Sequence, residues 1–130
     1  MPQYNQANSN GRASKYLAET SMLNFSHPTL QALIAQRNWR TLPKDVATKE
    51  IYDFCRNEIA FGYNLHGDTP TAAAVLEEGL GQCNTKATLF MALLRAIGVP
   101  CRTRGSVIKK RMQKEAVGTL AYMLAPALII

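Results

Sequence analysis

The sequence predicts an α+β domain weighted toward helix. Four stretches place apolar residues at helical spacing or between helix start and stop signals, and Val99 to Arg104 alternates apolar and charged residues with the period of a strand. With 130 residues, the chain has room for one hydrophobic core. We expect a polar leader over 1–14 and a single domain over 15–130.

The first helix starts near Ser26 and Pro28, with Leu30, Leu33 and Ile34 on one face, and fades over 37–40. Leu42-Pro43-Lys44-Asp45 opens the second, where Ala47, Ile51, Phe54, Cys55 and Ile59 follow i, i+4, i+7, i+8, i+12. Gly62 to Gly67 reads as a loop. Asp68-Thr69-Pro70-Thr71 supplies caps for a short helix that Gly79 stops, and Gly79-Leu80-Gly81 permits a sharp reversal.

From Cys83 to Ile97 nearly every side is apolar, which predicts a central helix covered around most of its girth and ended by Gly98. Val99, Cys101 and Thr103 then form one side of a half-buried strand that Val107 and Ile108 extend. The run GTLAYMLAPALII is too short to span a bilayer and is broken by Pro126, so no membrane role is expected. It reads as an apolar strand, and its finish on Leu128, Ile129 and Ile130 suggests a strand cut off.

The 47% hydrophobic and 18% charged shares fit a globular domain and argue against wholesale disorder. Part of the net charge of +6 lies in Arg102, Arg104, Lys109, Lys110, Arg111 and Lys114, yet no aromatic is interleaved between Phe90 and Tyr122. That pattern is a solvated face rather than a nucleic-acid site, which would need rings for base stacking. Three cysteines without CxxC spacing argue against a disulfide framework and a structural zinc site, and point to a reducing, cytoplasmic setting. The start MPQYNQANSNGRASK has no apolar signal region.

Cys83 carries the chemistry. A thiol is nucleophilic as thiolate, and a helix start favours that form through unpaired N–H groups and the positive dipole end. Gly79 and Gly81 allow the turn that exposes the sulfur, the N–H groups around Gly81 and Gln82 are candidate oxyanion donors, and Lys86 adds positive potential. Taken alone, Gly-x-Cys also fits a small buried hydrophobe. Cys55, on an apolar helix face, and Cys101, on the Val99 side of its strand, are read as buried. Trp39, Tyr52 and Tyr63 are read as core or rim.

The longer segment DTPTAAAVLEEGLGQCNTKATLFMALLRAIGVPCRTR, residues 68–104, resembles the transglutaminase-like superfamily. It shows that family's short helix, glycine turn, cysteine, alanine- and leucine-rich helix and Arg-Ala-x-Gly-Val-Pro-x-Arg, with Asn84 where a tryptophan is common. With the two leading helices, which resemble those of bacterial members, the likeness covers roughly 26–108. It implies a papain-like cysteine proteinase fold, here mostly the helical part with the first one or two strands of an antiparallel sheet. It also implies a Cys nucleophile attacking a carboxamide or peptide carbonyl of a protein substrate, with a downstream His as base and an Asp to orient it. No metal or organic cofactor is implied.

The pattern breaks after Cys83, where the sequence has no histidine, no aspartate and no asparagine except Asn84. The expectation is a truncated, inactive acyl-transfer domain. Two other readings fit the sequence. His66 with Asp68 could act as a substitute base, although a loop histidine beside a capping aspartate explains both; His27 beside Pro28 reads as a helix entrance. Alternatively, the fold is a non-catalytic interaction module whose apolar C-terminal strand pairs with a second copy or another chain.

Overall fold

The computed structural model describes residues 11, 13–65, 67, 69–109, 111, 123 and 128–129. Helix α1 spans Pro28–Gln36 and buries Leu30 and Ile34. Its cap is His27, whose Nδ1 accepts a hydrogen bond from the Thr29 N–H at 3.3 Å. Pro28 takes the first helical position, where a missing N–H leaves nothing unpaired. Ser26 turns elsewhere: its N–H and Oγ both donate to Glu19 Oε1, at 2.8 and 2.6 Å. Asn38, at φ 56°, redirects the chain after the helix.

Helix α2 spans Lys44–Asn57 and buries Ala47, Ile51, Phe54 and Cys55, with Ile59 buried just beyond it. These are the positions the spacing predicts. Trp39 packs edge-on to Phe54 with ring centroids 5.7 Å apart, and its indole N–H donates to Glu50 Oε2 at 3.1 Å. The buried ring therefore leaves no donor unpaired. Helix α3 spans Ala72–Glu78, capped by Thr71 Oγ1 accepting from the Ala74 N–H and closed by Gly79 at φ 68°.

Helix α4 spans Cys83–Ala96 and packs against α2 and α3. Thr85, Leu89, Ala92, Leu93 and Leu94 are buried, while Ala87, Phe90 and Met91 are half-buried. Full burial is thus densest along one flank, with Leu94 buried on the other and Ala87, Phe90 and Met91 only half-covered. Gly98 ends the helix at φ 86°, with the Val99 N–H returning to the Leu94 carbonyl at 2.9 Å.

The strands depart from the expected antiparallel sheet. Strand β1 (Ala60–Phe61) pairs in parallel with β2 (Leu80–Gly81), in the register Ala60 to Leu80 and Phe61 to Gly81. The physical reason is local: α2 and α3 deliver their chain ends side by side, and the Ala60 and Gly62 N–H groups donate to the Gly79 and Gly81 carbonyls. An antiparallel pair does form further on, between β3 (Ile108–Lys109) and β4 (Leu128–Ile129).

The predicted strand over Val99 to Arg104 is absent. Its backbone groups are used differently, since the Cys101 N–H donates to the Tyr16 carbonyl while the Cys101 carbonyl accepts from Arg95 Nε and Nη2 at 3.2 and 2.7 Å. Arg95 Nη1 also donates to the Ala18 carbonyl at 2.7 Å, so one side chain from α4 joins both segments. Lys44 caps the other side of this helix end by donating to the Ile97 carbonyl. Among the described residues no helix is long and apolar enough to cross a membrane.

Leu93 is fully buried, so Leu93→Ala is expected to cost about 3 kcal/mol in a urea melt. Gly79→Ala should cost about 1 kcal/mol, because space is open around its Cβ and only the left-handed backbone is strained.

Candidate active site

Cys83 is the first residue of α4 and is exposed. The helix tip that carries it is held by a short network. The Gln82 N–H donates to Thr85 Oγ1 at 2.9 Å, and the Lys86 N–H makes the first helical bond, to the Gln82 carbonyl, at 2.8 Å. Thr85, fully buried, supplies the oxygen that a polar residue at this depth needs. Gly81 is required by proximity: a Cβ there would lie 2.6 Å from Thr85 Oγ1 and 3.3 Å from the Lys86 nitrogen.

Lys86 joins the tip to α2. Its ammonium donates to the Ile59 carbonyl at 2.8 Å and to the Arg56 carbonyl at 3.3 Å, taking up orphan acceptors at the end of α2. This positive end sits one turn from Cys83, where the sequence suggested positive potential. The backbone donors of the tip are partly taken: the Thr85 N–H donates to Asn84 Oδ1 at 2.9 Å, and the Gln82 N–H is aimed at Thr85.

Cys83 opens on a cleft of about 440 Å³, with walls that include Tyr52, Phe61, Ala87 and Phe90. The sequence left Tyr52 as core or rim and did not mark Phe61 or Phe90 as part of a site. The available signal was spacing, since 83, 87 and 90 share one face of a helix. Cys55 lines the same cleft from α2 but is buried, and burial pushes its thiol up to about 12, with Lys86 opposing. The Cys101 thiol is also raised by burial, against a smaller pull from Arg95, and its Sγ lies 3.6 Å from the Met91 carbonyl. The three thiols are therefore not equivalent.

His27 is the α1 cap, and His66 and Asp68 lie outside the described residues. Arg95 clamps backbone as described, and Arg102 lies over the Tyr16 ring at 5.5 Å. Most of the apolar C-terminal run (118–122, 124–127 and 130) is outside the described residues. Among the described residues no group of three or more His, Cys, Asp or Glu side chains is placed to hold a metal ion.

The sequence profile of the transglutaminase-like superfamily matches residues 32–123 of this chain, a span that begins within α1 and contains α2 to α4 and the whole of the Cys83 cleft. Comparison with curated proteins and with solved structures gives no match.

Gly81→Ala is expected to lower stability by about 2 kcal/mol in denaturant melts, because the contact it meets is with a buried hydroxyl and backbone that have little room to yield. Cys55 also gives a pH signature. An unfolded thiol ionises near about 8.5, whereas folded Cys55 holds its proton to about 12, so stability falls as pH rises through this window. Between pH 8 and 10.5, Cys55→Val should lose about 2 kcal/mol less than the wild type by urea denaturation.

Proposed function

This chain belongs to the transglutaminase-like superfamily, and from that premise we propose that Cys83 is the nucleophile of a cysteine acyl-transfer site. The thiolate adds to the carbonyl carbon of a carboxamide or peptide bond, and the oxygen, now negative, meets the Cys83 N–H at the positive end of α4. Collapse of this adduct expels the nitrogen as an amine, which takes up a proton, and leaves a Cys83 thioester. Attack on the thioester by water or another amine forms the product and returns the thiol.

One observation carries this reading: of three cysteines, Cys83 alone is exposed, and it stands at the start of the helix on the wall of a cleft. The chain's own residues support thiolate formation and acylation better than sustained turnover. No histidine occurs over 84–130, and His27 is occupied as a helix cap.

A second reading, an interaction module without catalysis, draws on the segment beside the cleft. Phe61, Tyr63 and Leu65 are 73%, 79% and 88% exposed in close succession, the kind of apolar surface that marks a partner site. Under this reading the partner covers that segment, and the protein self-associates or captures another chain through it. A clean monomer in size-exclusion chromatography that stays soluble at high concentration counts against the module.

Timed iodoacetamide labelling followed by peptide mass mapping tests the first reading. Cys83 should react at least about tenfold faster than Cys55 and Cys101 at pH 7.5, since it is exposed while burial raises the other two thiols. Equal, slow labelling of all three in the folded protein would sink it.

A further inference from the structure

Resting on the reading of Cys83 as the acylated residue, we infer that the acyl donor is an extended peptide bearing a bulky apolar side chain about three residues from the reacting carbonyl and a carboxylate between the two. The cleft at Cys83 does not stand alone. A second hollow of about 500 Å³ shares two of its walls, Tyr52 and Phe90, and continues toward Lys44 and Val99. Together they form a furrow between α2 and α4, with Cys83 at one end.

The length of the furrow selects an extended chain. Cys83 and Phe90 are seven residues apart on α4, which at helical rise is about 10 Å, the reach of about three residues of extended peptide. At that distance Tyr52 and Phe90 stand edge to face, centroids 6.1 Å apart, with Tyr52 largely exposed. The pair presents ring surface that a bulky aliphatic or aromatic side chain covers and a small or charged one does not.

The charge of the near half selects the carboxylate. Its lining includes Arg56 and Lys86 and contains no Asp or Glu. The Lys86 ammonium is directed to two carbonyls, whereas no carboxylate among the described residues pairs with the exposed Arg56 guanidinium. The far half differs, since Asp45 lies there with Lys44 and Lys49, and Lys49 is paired to Asp53 at 2.6 Å. Positive potential is therefore concentrated between Cys83 and the ring pair, where Arg56 offers a forked donor to a carboxylate.

The test uses four-residue peptidyl chloromethyl ketones on the full chain, in which the Cys83 sulfur bonds to the methylene carbon as chloride leaves. One probe carries Phe three residues from the ketone and Glu between them; its counterpart carries Gly and Lys at those positions. Each rate of Cys83 modification, read by intact mass and peptide mapping, is divided by the iodoacetamide rate of the same sample, which removes differences in thiol reactivity. The Phe/Glu probe should give a ratio at least about tenfold above the Gly/Lys probe, of the order that pocket contacts to one apolar side chain supply. Added salt and Arg56→Gln should each shrink the Glu part of the preference, and Tyr52→Ala the Phe part. Both positions are exposed, so neither change threatens folding.

Ratios within about twofold of one another would overturn the inference while leaving the nucleophile reading intact, provided iodoacetamide still favours Cys83. If iodoacetamide shows no preference for Cys83, both fall together. Labelling that slows for every probe as protein concentration rises would show a second copy filling the furrow, and that too overturns it.

Discussion

Burial of one flank of α4 against α2 and α3 is the constraint on which the other features depend. Leu89 and Leu93 are fully removed from water there, each contributing about 2 kcal/mol, whereas a typical hydrogen bond contributes about 1 kcal/mol net. Packing therefore fixes where α4 lies, and the polar contacts determine its rotation and its ends. Lys86 ties the beginning of the helix to the end of α2, and Arg95 ties its last turn to residues near both Ala18 and Cys101. A sulfur at the first residue of such a helix is held in place from below without being covered from above.

The same packing explains the unequal thiols. Cys55 lies on the α2 face that closes the core, so its ionised form loses hydration with only partial relief from Lys86. Cys83 is about as close to the positive end of a helix as a side chain can be, yet stays in water. Placement alone thus separates the exposed cysteine from the core cysteine, with no metal ligand or disulfide involved among the described residues.

Much of this was legible in the sequence, and the failures have particular causes. Ala47, Ile51, Phe54, Cys55 and Ile59 lie where the helical period put them, because hydrophobic burial acts on the period directly. Gly79 and Gly98 stop their helices because both need a left-handed backbone. The parallel pair of β1 and β2 left no trace, since two residues per strand show no alternation and parallel partners are remote in sequence. Val99 to Arg104 showed the alternation of a strand without becoming one: half-burial of Val99 and Cys101 produces the same pattern, while Arg95 takes the carbonyl a ladder would use. The cleft was harder still to foresee, because Phe90 reads as core in an apolar helix until its missing neighbours are known.

The short parallel pair has a further consequence for motion. Ala60 and Gly62 are bonded to Gly79 and Gly81, which immediately precede the Gln82–Cys83 corner. Phe61, a wall of the cleft, is therefore carried on the same hydrogen-bonded patch as the backbone that presents the sulfur. The two hydrogen bonds couple the backbone of the wall to the backbone beneath the thiol. Across the cleft, Tyr52 belongs to α2, so the opposite wall is carried by a different element.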